Sequence, residues 1–349
     1  MTFDDAKFQL QQFLSDGLLL VIGSGLSIAE GIPGMGGLTT ELLAKIPSRL
    51  ESSDDLGNWH NIEALLAAGT GLEQALHKQP ATESVEQAIA STTIRFLLPQ
   101  EAEVMKRVIC QGKVLRLTRL FGHLLKSPRG IPVVTPNYDR LIELAAEVAE
   151  LGVDTMFVGS TFARFDEQRS RESFLLDIQS MKAHKGIRRV YRDRILLYKP
   201  HGSFDWYRVG DNPCRIPFDL EHPRLLITPG VHKFRHGYDT PFDRHRERAN
   251  AAIDQAARFM IIGYGFNDDH LETHLAARIR AHVPTLVVTH SLTSAAKELL
   301  SASTSVALVH HYSESGTTGT RIEINGEELL VPNSSLWDLD HFIREVLEP

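Results

Sequence analysis

Leu18-Leu19-Leu20-Val21-Ile22-Gly23-Ser24-Gly25-Leu26-Ser27 is the stretch that decides the fold. Its first half is continuously apolar and offers no polar face, which suits a strand covered on both sides, as in a parallel sheet flanked by helices. The run then breaks into a glycine-rich turn. Such a turn, leaving a buried strand and opening a helix, is where α/β folds hold phosphates, because backbone N–H groups and the next helix N-terminus can approach an anion closely. Upstream, Phe8, Leu10, Phe13 and Leu14 recur at helical spacing within Phe3 to Ser15, and Asp16-Gly17 closes that helix.

Downstream, the segment from Pro47 to Lys126 contains IEALLAAG and EQAIASTTIRFLL, whose apolar residues also recur at helical spacing, and reads as a helical insertion. The strand–turn–helix pattern resumes at Ile131 to Thr135, followed by Pro136-Asn137-Tyr138-Asp139 and a helix over Arg140 to Glu150. Further strands are expected at Ile195 to Tyr198, Leu225 to Thr228, Phe259 to Ile262 and Thr285 to Thr289. A hairpin is expected from Arg321 to Ile324 and Glu328 to Val331 around Asn325-Gly326, then a last helix from Leu336 to Leu347. The fold class is therefore α/β: a Rossmann-like doubly wound parallel sheet with a helical insertion and a small C-terminal hairpin plus helix. Residues 1–46 and 127–300 would form the sheet domain, 47–126 the insertion and 301–349 the C-terminal unit.

Composition narrows the function. The 349 residues carry 37 Lys and Arg against 44 Asp and Glu, a net charge of −7 that disfavours a protein built to grip a phosphate backbone. Arg188, Arg189, Arg192 and Arg194 form a local basic cluster, but no carboxylate set for two metals accompanies it. Cys110 and Cys214 are too few for a four-thiolate zinc site or a disulfide framework. The acidic start does not read as a signal peptide and the longest strongly apolar run is too short to span a bilayer, so a cytoplasmic protein without membrane contact is expected.

Four segments that follow strands could carry chemistry: GSGLS at 23–27, TPNYD at 135–139, KPHGS at 199–203 and GYGFNDDH at 263–270. The first lacks the third glycine of GxGxxG, since Ile28 stands there, which argues against a dehydrogenase. Its glycines could equally serve close strand–helix packing. His201 follows an apolar strand, and an imidazole suits general-base work near neutral pH. Asn137 and Asp139, read alone, are turn formers and a helix cap. Within DHLETH, His270 and His274 are one helical turn apart, but the glutamate is not placed as in HExxH, so no metal is assigned.

Read in order, GSGLSIAEGIP, TPNYD, PHG and GYGFND resemble the sirtuin (SIR2-like) superfamily, and its bacterial NAD-consuming defence branch more than its deacylases. Gly23, Ser24, Gly25 and Ser27 match the family's glycine loop, Gly31-Ile32-Pro33 follows at the expected distance, and Asn137, Asp139 and His201-Gly202 match the next two motifs. Two departures stand out. Gly34-Met35-Gly36 replaces the acidic-aromatic-basic triplet of deacylases, and their four zinc-binding cysteines are missing, so no zinc and no peptide-binding module are expected.

The resemblance implies that NAD is the substrate and that its nicotinamide–ribose bond is hydrolysed in an antiviral role. Asn137 and His201 would be catalytic; Gly23, Ser24, Gly25 and Ser27 would hold the diphosphate; Gly263, Tyr264 and Asn267 would line the adenosine side; Asp139 would orient Asn137 or its loop. It further implies a homo-oligomer held through the insertion, silent until triggered by a partner such as a HerA-like ATPase or an Argonaute, with nucleic acid met only through that partner. An ADP-ribose transferase or cyclase, or a non-catalytic NAD or ADP-ribose sensor, would use the same pocket.

Overall fold

The structure, a computed structural model, describes residues 1–124, 127–181, 186–220, 222–228, 239–266, 269–314 and 316–348. Strand β1 (Leu18–Ile22) is buried along its whole length. It runs parallel to β2 (Ile131–Val134), with Leu20 opposite Val133, and on its other side to a strand at Arg258–Ile262, with Leu20 opposite Met260. Among the described residues the principal sheet has nine strands. From the centre toward one edge it continues through Arg194–Tyr198 to Gly152–Asp154; toward the other it continues through Thr285–Thr289 and Val306–Glu314. All of these pairs are parallel. The hairpin of Thr317–Ile324 and Glu327–Pro332 then adds antiparallel strands to the far edge, so the chain's end extends the sheet.

The side-chain alternation of β1 explains the double winding. Leu18, Leu20 and Ile22 join one core with Leu10 of helix α1 (Phe3–Gln11), Leu117 and Leu120 of a helix at Arg116–His123, and Phe342 near the C-terminus. Leu19 and Val21 face the opposite layer, with Ile253, Leu275 and Leu299 from three later helices. Successive side chains of a strand point to opposite faces, so a sequence with no polar position is what a sheet covered on both sides requires. Helix α1 begins with a reciprocal cap: Asp5 N–H donates to Thr2 Oγ1 at 3.2 Å, and Thr2 N–H donates to Asp5 Oδ2 at 2.9 Å.

The helices between β1 and β2 have a core of their own. Leu38 and Leu42 of the helix Met35–Lys45 pack with Trp59, Ile62, Leu76, Val85 and Ile89, so the helical cluster draws on residues that precede Pro47. Its longest member, Glu83–Gln111, starts on the Thr82 cap and ends at Gly112, where φ is +68°. The described residues between 152 and 228 depart most from the sequence reading. Besides two strands of the main sheet, they form a five-stranded antiparallel sheet, and Leu175–Met181 pairs with Gly186–Tyr191 as a separate hairpin. The strand expected at Leu225 to Thr228 is observed at Arg224–Leu226, on the edge of that antiparallel sheet and not in the parallel one. Short strands with mixed polarity carry little periodic signal, which is why this sheet escaped the reading. The last helix starts at Leu339, three residues later than expected, and widens into a π turn over Ile343–Leu347.

His245, on the helix Phe242–Gln255, lies beneath the end of the Arg194–Tyr198 strand, fully buried against Trp206 at 4.6 Å between ring centroids. Burial, helped by the Lys199 charge, pushes its pKa down to about 3 from the ordinary 6.5. The unfolded chain therefore binds a proton that the folded chain refuses as pH falls below about 6.5, and stability declines through that window. The His245 contribution is a loss of roughly 1 kcal/mol per pH unit. His245→Asn, whose Oδ1 can still accept the Lys199 N–H, is expected to flatten the fall between pH 6.5 and 5 in chemical denaturation; an unchanged slope would refute the assignment.

Candidate active site

The four motif segments leave the carboxyl ends of four neighbouring strands. In sheet order these are Arg258–Ile262, β1, β2 and Arg194–Tyr198, followed respectively by Gly263, Gly23, Asn137 and His201. A Rossmann-like sheet reverses its strand order between the first two of these, and ligands bind such sheets at that crevice, outside the carboxyl ends.

At the crevice the glycines are in contact with one another. Gly23 N–H donates to Ile262 O and Gly25 N–H to Gly263 O, both at 2.9 Å. A Cβ on Gly25 would stand 2.7 Å from Gly263 Cα, and one on Gly23 2.4 Å from Tyr264 Cα. Gly263 itself has φ of +56°, where L side chains are strained. The amides of Gly23 and Gly25 are therefore engaged by protein carbonyls, and close packing is what these two glycines visibly provide. Ser24, the first residue of the following helix, is exposed, whereas Ser27 is buried.

The Ser27 hydroxyl is turned inward. It donates to Asp139 Oδ2 at 2.7 Å and accepts from Asn137 Nδ2 at 2.9 Å. Asn137 Nδ2 also donates to Gly23 O at 3.0 Å, so both amide hydrogens are used within the protein. That bonding fixes the amide orientation and leaves Oδ1 as the atom Asn137 can offer a ligand. Asp139 also accepts Leu141 N–H at 3.2 Å, at the start of the helix Leu141–Val148. Its carboxyl is pushed above the usual range by burial, and the nearby Lys199 charge works against that shift. The link between β1 and β2 is completed by Thr135, whose hydroxyl donates to Ile22 O at 2.7 Å and accepts Asn137 N–H at 3.1 Å.

His201 is buried and sits in a tight turn between two strands. Gly202, at φ +90°, donates its N–H to Lys199 O at 3.1 Å, and a Cβ on it would meet Leu225 O at 2.2 Å. Glycine is thus demanded immediately after the histidine. Ile227 N–H donates to His201 O at 2.9 Å, tying the turn to the antiparallel sheet. A cavity of about 1520 Å³ adjoins that tie, between Arg49, Ser91 and Arg95 on one side and Leu226, Ile227 and Phe242 on the other. Among the described residues, none of the motif side chains lines it.

Tyr264 is buried, with its ring 5.1 Å from that of Phe266. Asn267 lies outside the described residues, as does Asp268. The helix Asp269–Arg280 carries the HLETH segment, and His274 there meets Asp254 at 3.0 Å.

Three buried charges near the site were missed in the sequence. Lys199 is 1% exposed and reaches Glu143 Oε1 at 3.1 Å. Glu101, on the long helix, is fully buried and accepts from Arg140 N at 2.5 Å and Arg140 Nη2 at 2.6 Å, which fixes the residue after Asp139. Glu30, at the end of the glycine-loop helix, accepts from Lys113 Nζ at 2.7 Å and Arg116 N at 2.8 Å. Only Lys199 had a local signal, an ammonium directly after the apolar ILLY; Glu101 and Glu30 look like any surface glutamate until the tertiary fold covers them.

No curated protein matches the chain. Among solved structures it is similar to a SIR2 homolog in complex with NAD, at 14% identity over 100% of this chain and 95% of that one, with a TM-score of 0.41. It is also similar to a Sir2 homologue mutant in complex with ADP-ribose, at 16% identity over 97% of this chain and 96% of that one, with a TM-score of 0.38. The family model of the SIR2-like domain matches residues 132–305, a span that contains the second, third and fourth motif segments. The chain therefore carries a SIR2-like domain.

Proposed function

We propose that this chain is an NAD glycohydrolase. The observation that carries the reading is the convergence of Asn137 and His201 on adjacent strand ends beside the crevice of a SIR2-like sheet, with Asn137 Oδ1 left available for a ligand. Hydrolysis breaks the bond between the ribose anomeric carbon and the pyridinium nitrogen, and that bond's electron pair leaves with neutral nicotinamide. Water adds to the oxocarbenium-like ribose and gives up its proton. His201 would take that proton as general base, while Asn137 Oδ1 would accept from a ribose hydroxyl or from the water. Ser24, being exposed, suits the diphosphate better than Ser27, whose hydroxyl serves Asn137 and Asp139. Gly23, Gly25 and Gly263 would then act by letting the two turns pack closely beneath the cofactor, and Tyr264 with Asn267 would border the adenosine.

The regulatory half of the reading assigns 1–46 with 127–300 to NAD and control to 47–126 and the C-terminal unit, 301–349. An enzyme that destroys a central cofactor must be silent at rest. Two ion pairs with buried carboxylates, Glu101 with Arg140 and Glu30 with Lys113, connect the helices between β1 and β2 to both sides of the site, so a movement there would be felt at the chemistry. A homo-oligomer built through these helices and triggered by a defence partner is the arrangement we favour, with an antiviral role as its consequence.

Purified protein incubated with NAD is expected to release nicotinamide and free ADP-ribose; a cyclic or conjugated product would mark a cyclase or transferase, and binding without turnover a sensor. His201→Ala should lower the rate about 10²- to 10⁴-fold with ADP-ribose binding retained, and Asn137→Ala should be at least as severe. Wild-type turnover by His201→Ala would refute the mechanism. Metal analysis should find no stoichiometric zinc, and acetyl-lysine peptides should be left intact. Sizing and activity measured together across protein concentration test the regulatory half, which full activity in a lone monomer would overturn.

A further inference from the structure

We propose that Lys199 is a positioning residue for this site, its buried ammonium locking the backbone that carries Asn137 to the turn that presents His201. The proposal rests on the NAD-cleavage reading and names what holds its two central residues in register. Lys199 Nζ donates to Asp139 O at 2.6 Å, Ser203 Oγ at 3.0 Å and Glu143 Oε1 at 3.1 Å, with Tyr138 O further off at 3.3 Å. An ammonium has three hydrogens, and the three shorter contacts use them. Ser203, accepting from Lys199, passes its own hydrogen to Tyr138 O at 3.2 Å, and Phe204 N–H donates to the same carbonyl at 3.0 Å.

The two segments so joined are separate in sequence and come from different strands. Residues 138 and 139 directly follow Asn137, and residues 199 and 203 bracket His201. The backbone of Lys199 is held as well: its N–H donates to His245 Nδ1 at 3.2 Å, and its carbonyl accepts Gly202 N–H at 3.1 Å. Both ends of the side chain are therefore fixed. A buried charge costs more to desolvate than a well-packed apolar side chain of similar size, so its presence is weak evidence for stability alone. What an apolar side chain could not do is satisfy at once a main-chain carbonyl of the loop after β2, a carboxylate of the helix that follows it and the Ser203 hydroxyl beyond His201.

Lys199→Met alone would strand Glu143 without a cation, so the informative protein is the pair Lys199→Met with Glu143→Gln. ADP-ribose titration counts its intact sites and measures their affinity, NAD turnover is then expressed per intact site, and hydrogen exchange follows the Phe204 and Leu141 amides. We expect affinity to stay near wild type, turnover per site to fall by about 10²-fold, the loss that a misplacement near 1 Å can produce, and protection at Phe204 to drop. A purely structural lysine would reduce the number of sites and the melting temperature but leave turnover per site unchanged, which would overturn the proposal. Should the wild-type protein bind ADP-ribose but leave NAD intact, the glycohydrolase reading fails by itself; the lock is then judged on exchange alone, and unaltered protection at Phe204 would overturn it.

Discussion

Backbone meets backbone where the turn after β1 crosses the turn after the Arg258–Ile262 strand, and the site depends on that contact. Gly25 and Gly263 leave no room for a side chain on either partner, and their hydrogen bond fixes how far apart the two central strand ends can be. Part of the site's polar network hangs from one of those ends. The helix that follows Gly23 delivers Ser27 inward to Asn137 and Asp139, while its other end delivers Glu30 to Lys113 and Arg116.

Several buried polar groups around this contact are bonded across elements. Ser27 joins β1 to β2, Thr135 does so again one residue from the strand end, and Lys199 joins β2's loop to the next strand. Low local dielectric strengthens satisfied hydrogen bonds and penalises broken ones, so such a network favours one arrangement sharply over its neighbours. That property would suit the proposed reaction, in which a ribose is held at a fixed angle to a base. It also means that ion pairs reaching in from the helices, Glu101 with Arg140 above all, are placed where small shifts have large consequences.

The centre of the parallel sheet was legible because its strands are apolar runs punctuated by glycine, proline and asparagine, and β1, β2, Phe259 to Ile262 and Thr285 to Thr289 appear within a residue of where the pattern puts them, whereas the parallel strands Gly152–Asp154 and Val306–Glu314 were not read. The antiparallel sheet was not, since Arg224–Leu226 and its neighbours are short and alternate only weakly. Asn137 and His201 were visible through ordered motifs, yet their partners were not. Nothing in the string TPNYD says that Asn137 will give both hydrogens to Gly23 and Ser27, and the glycine loop looked like a phosphate cradle although its Gly23 and Gly25 amides answer to protein carbonyls. Spacing along a chain reports which residues are available; which atoms remain for a ligand is decided by contacts over more than a hundred residues.

The central claim is that four adjacent strand ends form one NAD site. A crystal structure with ADP-ribose bound tests it most directly. The account predicts the diphosphate beside Ser24 at the crevice between β1 and the Arg258–Ile262 strand, with the terminal ribose between Asn137 Oδ1 and the His201 ring. ADP-ribose lodged instead in the cavity beside Arg95 and Phe242, with Asn137 and His201 untouched, would contradict it.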